Sequence, residues 1–465
     1  MDEETLYKPV LELSRMLRAR QISPVELAQE YIKRARKLDP QLFAVVTFTE
    51  ELALSQARAA EAEIMKQKFR SPLHGIPWGA KDVFATKGIP TQWGCPAYQG
   101  QVFDYDAMVV RKLGEAGAVL MAKLAVGELA SGARWFGGTT RCPWDPIRTS
   151  SGSSAGPGSA TAAGAVGFAL GTETLGSIIS PSTTNGVVGL RPTYGRVGRN
   201  GAMALSWTMD KVGPMCRTVQ DCAVVFEQII GADPLDQASV DAPFRFSTQA
   251  TIKGKKIGVL REEFGAASDP EVSRVLREAL RVLEAQGVVL EEVDLDDYPY
   301  QDIARFTINI EAACAFEPLW KSGRIDLMLN KQRAIDWSVA RMLPAVDYLK
   351  MQRVRVEICE YAGRLLRKYA ALVAPSSATP AGLVDPPTVN TLTSALSGPI
   401  SSRGGSSAFG NIAGLPAVSV PCGFTANGLP LGIQFLGPAF DEAGILRLAH
   451  AYEQATDWRD RHPRL

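Results

Sequence analysis

Lysine, serine and glycine, not histidine, dominate the segments of this chain that can carry chemistry. Only three histidines occur in 465 residues, His74, His450 and His462, although most hydrolytic mechanisms lean on that side chain. His450 falls in Ala443–Gln454, which reads as an ordinary amphipathic helix. Hydroxyls are concentrated elsewhere. Gly152-Ser153-Ser154-Ala155-Gly156 matches the G-x-S-x-G turn of serine hydrolases and would make Ser154 a nucleophile. That turn needs a strand before it, and Trp144–Ser151 does not read as one. It also needs a histidine base, so Ser154 is set aside. The base that remains is Lys81, between Ala80 and Asp82 in the apolar run Ile76–Phe84. Without further context such a lysine reads as a surface residue paired with Asp82. No phosphate-binding glycine loop, H-E-x-x-H pair or Cys/His cluster is present, so neither a cofactor nor a metal is expected.

The wider context changes the reading of Lys81. Gly75–Phe84, Gly152–Gly156 and Gly171-Thr172-Glu173-Thr174-Leu175-Gly176-Ser177-Ile178 together resemble the amidase signature family. Thr140–Pro146, Gly189–Gly195, Asn411–Ala417, Pro421–Gly423 and Gly428–Gln434 extend the resemblance over most of the chain. Each piece is short, but their order and spacing are specific. The resemblance implies an enzyme that cleaves amide C–N bonds through an acyl-enzyme. The family's catalytic lysine maps onto Lys81. Its bridging serine, held by an unusual cis peptide bond, maps onto Ser153, and its nucleophile maps onto Ser177. The backbone N–H groups of Thr174, Leu175 and Gly176 then form the oxyanion hole. A wall segment maps onto Glu128–Gly132, with Ala130 and Ser131 as substrate contacts.

Elementary chemistry supports these roles. A serine hydroxyl is a poor nucleophile until a base takes its proton. Free lysine titrates near 10.4, so a lysine base at neutral pH needs ~4 kcal/mol of differential stabilisation of its neutral form. Burial in an apolar segment pushes in that direction. Ser153 would pass the proton of Ser177 to Lys81 and then return it to the leaving amine. Convergent backbone amides after Thr174 would hold the developing oxyanion.

Two departures from the family bear on substrate. Leu175-Gly176 stands where most members have Gly-Gly, so that position is expected not to need positive φ. Ile179 stands where many members carry an arginine able to hold a carboxylate. The main expectation is therefore a neutral amide, ester or carbamate (urethane) as small-molecule substrate, with Ile179 and Leu175 near the pocket. The alternative is the glutaminase (A) subunit of a tRNA-dependent amidotransferase. A third reading, a binding protein on a dead fold, is opposed by intact Lys81, Ser153 and Ser177.

These residues need a scaffold. Ser23-Pro24-Val25-Glu26 is a capping box that opens a helix to about Leu38, preceded by a short amphipathic helix in Pro9–Arg20. Lys255–Arg261, Pro270–Gln286 and Val288–Leu295 read as strand, helix and strand, which implies parallel pairing. Ala371–Pro375 and Ala417–Pro421 read as buried strands. Composition alone would make the Gly/Ser-rich stretch Ser150–Gly164 a linker, but the interleaved Val166, Phe168, Leu170 and Ile178 argue for packed backbone. Ala238–Thr251 and Ser376–Gly405 are further linker candidates. Ile303–Ala345, with Phe306, Phe316, Trp320, Met328, Trp337 and Met342, is either core or a substrate pocket.

Length alone suggests about three domains. The motifs, spread from Lys81 to Gln434, imply instead one large α/β/α domain over residues 1–465, with a mixed twisted sheet flanked by helices. Its core motifs lie in 75–195 and 405–437, and its variable pocket region at about 300–345. Hydrophobic residues make up 46% of the chain and charged residues 21%, with 50 basic against 49 acidic. That balance excludes nucleic-acid binding by bulk charge, so no nucleic-acid partner is expected, and the protein is read as a monomer or homodimer. Seven cysteines without a C-x-x-C pair fit reduced thiols in a cytoplasmic protein. No apolar run is long enough to span a membrane.

Overall fold

Ser23 opens the first long helix as its sequence predicts. Its Oγ accepts from the Glu26 amide, and the Glu26 carboxylate accepts from the Ser23 amide, both at 3.1 Å. The helix Pro24–Leu42 runs beyond the expected end at Leu38. Pro40 lies in its last turn, which ends with Phe43 donating to the Asp39 carbonyl and with Ala44 and Val45 donating to the Asp39 carboxylate at 2.8 Å.

The computed structural model of the protein describes residues 1–267, 269–384 and 405–465. Fifteen strands are present among them. The first three are β1 (Val45–Phe48), β2 (Pro77–Lys81) and β3 (Val119–Leu124). Two small ribbons follow, β4 (Arg134–Trp135) with β5 (Gly138–Thr139), and β6 (Arg141–Cys142) with β7 (Asp145–Thr149). Next come β8 (Phe168–Glu173), β9 (Val188–Arg191), β10 (Lys211–Cys216), β11 (Lys256–Leu260) and β12 (Val289–Val293). The last are β13 (Ala371–Pro375), β14 (Ala417–Phe424) and β15 (Pro430–Leu436). Eleven form one mixed sheet in the order β1-β3-β2-β8-β10-β9-β14-β15-β13-β11-β12. β3, β2 and β8 run parallel, as do β13, β11 and β12, and the other neighbours are antiparallel. Every residue of β2, β3, β13 and β15 is buried, so helices cover both faces of the sheet.

The predicted strand–helix–strand unit is β11, the helix Pro270–Ala285 and β12, paired in parallel from Lys256↔Val289 to Leu260↔Val293. The Gly/Ser run is no linker. Ala155–Ala162 is a helix buried at every position that packs on β8 and β2. Trp144–Ser151, read as lacking a strand, contains β7. Its pairing with β6 lies outside the main sheet, the kind of edge position where Asp145-Pro146 is tolerated. Ala238–Thr251 carries no helix or strand, yet Phe244 packs edge-on against Phe226 at 5.0 Å. Of the candidate linker Ser376–Gly405, residues 385–404 lie outside those described.

The strand register positions the chemistry. Trp78 pairs with Phe168 and Ala80 with Leu170. The carboxyl ends of β2 and β8 therefore place Lys81 beside Thr172 and the turn that follows β8. Crevices at such strand ends are the usual ligand sites of α/β sheets. Among the described residues, no helix is long and apolar enough to cross a membrane.

Candidate active site

Lys81 closes β2 and is wholly buried. It is not a surface lysine, and its sequence neighbour Asp82 pairs with Lys123 instead, at 3.2 Å. The Lys81 Nζ donates to Ser153 Oγ at 2.9 Å, Ser154 Oγ at 3.0 Å and Thr172 Oγ1 at 2.8 Å. These three partners are neutral hydroxyls, and the Thr172 carbonyl accepts as well at 3.3 Å. Burial pushes the ammonium down to about 7, against the opposing pull of Asp210 and Glu173. A substantial neutral fraction therefore exists at physiological pH, as a general base requires.

The Gly152–Ser153 peptide bond is cis. A Cβ on Gly152 would lie 1.9 Å from the Gly132 carbonyl oxygen, so glycine is required there. Ser154, the nucleophile of the elbow reading, is committed elsewhere. Its Oγ donates to the Thr172 carbonyl at 3.1 Å and accepts from Lys81 and from the Thr172 amide.

Ser177 sits in the turn after β8. The Ser154 amide donates to the Ser177 carbonyl at 3.2 Å, which ties the two serine loops together. The structure thus joins Lys81 directly to Ser153 and brings the Ser177 segment alongside. The Ser177 hydroxyl itself has no hydrogen-bond partner among the described residues. Leu175 keeps negative φ while Gly176 takes φ +82°, as expected for Leu-Gly in place of Gly-Gly. The amides of Thr174, Leu175 and Gly176 donate to no backbone acceptor among the described residues, which leaves them available for an incoming oxyanion.

Two carboxylates, the buried Glu173 and the half-buried Asp210, unrecognised in the sequence, shape this turn. Glu173 Oε2 accepts the amides of Ile178 and Ile179 at 2.8 and 3.0 Å. Its Oε1 accepts from Arg191 and Asn411, each at 2.9 Å. Burial alone would raise the Glu173 carboxyl, but Arg191 and the Ile179 amide hold it at about 2. Asp210 accepts from Thr174 Oγ1 at 2.5 Å and from the amides of Leu205 and Ser206. A charged residue inside an apolar Gly/Thr run was the available signal for Glu173, as it was for Lys81. Asp210 and Thr172 had none, because their roles arise from strand pairing.

A cavity of about 370 Å³ opens over Ser177, with Ala130, Ser131, Leu175 and Arg333 among its walls. Ala130 and Ser131, the expected substrate contacts, both line this cavity, whereas Ile179 does not. The Ile179 side chain is 3% exposed and belongs to an apolar cluster with Met209 and Phe409, away from the lining. The 300–345 segment does reach the cavity, but with Arg305, Asn309 and Arg333. Of its large apolar side chains, Phe316, Met328 and Trp337 are core, while Phe306, Trp320 and Met342 are exposed. A larger cavity, of about 1020 Å³, lies between the first helices and the chain end. It contains none of Lys81, Ser153 and Ser177, so we place the site at the smaller one.

Comparison with known proteins agrees with this geometry. Residues 26–446 match the family named Amidase. The chain is 37% identical over 494 residues to the glutamyl-tRNA(Gln) amidotransferase (A) subunit of Moorella thermoacetica, covering 99% of each chain. It superposes on the solved (A) subunit of the same amidotransferase from Thermotoga maritima with a TM-score of 0.80 and 28% identity, covering 98% of this chain and 96% of that one. The native peptide amidase of Stenotrophomonas maltophilia gives a TM-score of 0.84 at 29% identity, with 98% of both chains covered. These relatives correct one expectation, that of a monomer or homodimer acting on small molecules with no nucleic acid. Proteins similar over their whole length are named as subunits of an amidotransferase for glutamyl-tRNA. A near-neutral net charge tests only for binding through an overall cationic surface, and says nothing of assembly with other subunits. On the full-length match and the shared architecture, the chain belongs to the amidase signature family.

Proposed function

We propose that the protein hydrolyses an amide C–N bond through an acyl-enzyme on Ser177, and that it does so as the amide-splitting (A) subunit of a tRNA-dependent amidotransferase. The observation that carries the chemistry is the wholly buried Lys81, held by three hydroxyls and the Thr172 carbonyl with no carboxylate in contact, and lowered to about 7. In this reading Ser177 Oγ attacks the carbonyl carbon and its proton passes to Ser153, whose own proton passes to neutral Lys81. The oxyanion is held by the amides of Thr174, Leu175 and Gly176. Return of the proton through Ser153 to the departing nitrogen releases ammonia and leaves the acyl group on Ser177, for water to remove by the same relay. Full-chain similarity to the (A) subunits of glutamyl-tRNA(Gln) amidotransferases supports the amidotransferase role. Position 179 faces the core and so gives no ground for preferring a neutral substrate.

The test is ammonia release from glutamine by the purified chain, by itself and with its partner subunits, alongside arylamine release from a neutral aryl amide. Ammonia from glutamine, lost on the order of 10⁴-fold in Ser177→Ala, is the expected result. Turnover unchanged in Ser177→Ala would remove Ser177 from the mechanism. Hydrolysis of the aryl amide only would refute the amidotransferase role.

A further inference from the structure

Arg333 is the least explained charge in the cavity over Ser177. It sits on the helix Lys331–Ala340, with its guanidinium 4.8 Å over the Trp337 ring. Trp337 in turn stacks on Phe316 at 4.9 Å with the planes nearly parallel. One Arg333 nitrogen donates to the Glu128 carbonyl at 3.0 Å. The plane of the guanidinium is thereby fixed from two sides. Its charge has no ion-pair partner among the described residues. The nearby Glu128 carboxylate is taken by the amides of Leu329 and Asn330, at 2.7 and 2.9 Å, and does not line the cavity. Burial lowers Arg333 to about 10, so it stays protonated at neutral pH.

Arg305 stands in the same cavity wall, also without an ion pair among the described residues. Against these two cations the cavity presents one carboxylate, Asp336, which accepts from Gln332 at 2.9 Å. A pre-oriented guanidinium with spare N–H groups is the fitting partner for a planar carboxylate. The cavity's volume of about 370 Å³ suits a small acyl group.

We propose that Arg333, supported by Arg305, holds a carboxylate on the acyl part of the substrate while the amide carbonyl lies at Ser177. The 300–345 segment thus supplies the cation that position 179 lacks. This assignment rests on the reading of Ser177 as nucleophile, and it sharpens that reading by naming what recognises the rest of the substrate.

The test is equilibrium binding by calorimetry to the full-length Ser177→Ala protein, which blocks turnover. The probes are glutaramate, the anionic monoamide of glutaric acid, and its neutral methyl ester. Glutaramate should bind about tenfold tighter or more. Arg333→Gln in the same background should erase most of that ratio, and Arg333→Lys should restore part of it. Should Arg333→Gln fail to fold, salt titration of the Ser177→Ala protein gives a second readout, because added salt should weaken glutaramate binding and leave the ester unaffected. No binding of glutaramate, equal affinity for the two probes, or a ratio unmoved by Arg333→Gln overturns the assignment. Hydrolysis by the wild-type chain separates the two readings. Selective binding without hydrolysis would sink the catalytic proposal alone, and hydrolysis of both probes without selectivity would sink only the role of Arg333.

Discussion

Two lysines sit one strand apart in the sheet, and both are wholly buried. Lys81 ends β2. Lys123 lies in β3 opposite Ala80, so their side chains leave opposite faces of the sheet. Lys123 meets a carboxylate, a backbone carbonyl and one hydroxyl: Asp82 lies at 3.2 Å, and the Phe84 carbonyl and Thr91 Oγ1 accept from it. Lys81 meets Ser153, Ser154 and Thr172, with no carboxylate in direct contact. Burial lowers both ammonium groups. Only at Lys123 does a partnered charge balance the cost of leaving water. On the proposed mechanism, this contrast is what lets Lys81 serve as a base, because its neighbours accept hydrogen bonds yet bring no charge.

The comparison breaks most sharply at Lys81. Lys81→Ala should lower kcat/KM on the order of 10⁴-fold while leaving the melting temperature nearly unchanged or raised, since it removes a buried amine that has no ion pair. Steady-state kinetics with thermal unfolding checks both halves. Lys123→Ala should behave in the opposite sense. It strands Asp82 in the interior and should cost about 3–5 kcal/mol of stability, read by denaturant unfolding. The paired change Lys123→Met with Asp82→Asn should recover most of that loss.

A smaller effect would turn one lysine into the other. Thr172→Asp places a carboxylate beside Lys81 and should raise its pKa by roughly 1–3 units. The neutral base is the active form and exists above the pKa. The pH–rate profile should rise through about 7 in the wild type and move to higher pH by that amount in the variant. An unmoved profile would mean that Lys81 does not set it. The mildest change is Ser154→Ala, which removes one acceptor from Lys81 and a bond to Thr172. About 1–2 kcal/mol of stability should be lost, with turnover retained. If Ser154→Ala were as inactive as Ser177→Ala, the nucleophile would have to be reassigned.

What the sequence revealed of this arrangement follows a physical boundary. Local signals were legible: the Ser23 capping box, the β11–helix–β12 unit, and a lysine or glutamate out of place in an apolar run. The motif segments located Lys81, Ser153 and Ser177, and the structure seats Lys81 on Ser153. Contacts made by strand register were not legible. Thr172 reaches Lys81 only because β8 lies beside β2. Asp82, next to Lys81 in the chain, turns to Lys123 because alternate residues of a strand face opposite ways. Ile179 follows Ser177 closely yet points into the core, since its own amide is tied to Glu173. The cations that line the cavity are Arg305 and Arg333, remote in sequence and masked there by the aromatic and methionine pattern around them.

The most direct test of a lysine-based Ser177 nucleophile is the pH dependence of its acylation. The wild-type chain would be treated with a sulfonyl fluoride across pH values from about 5 to about 10, a span that brackets the ordinary and the lowered lysine range, and the modified residue located by peptide mass spectrometry. Modification is expected at Ser177 alone, with a rate that rises along a single titration centred near 7 and is lost in Lys81→Ala. Modification at Ser154, or a Ser177 rate indifferent to both pH and Lys81, would contradict it.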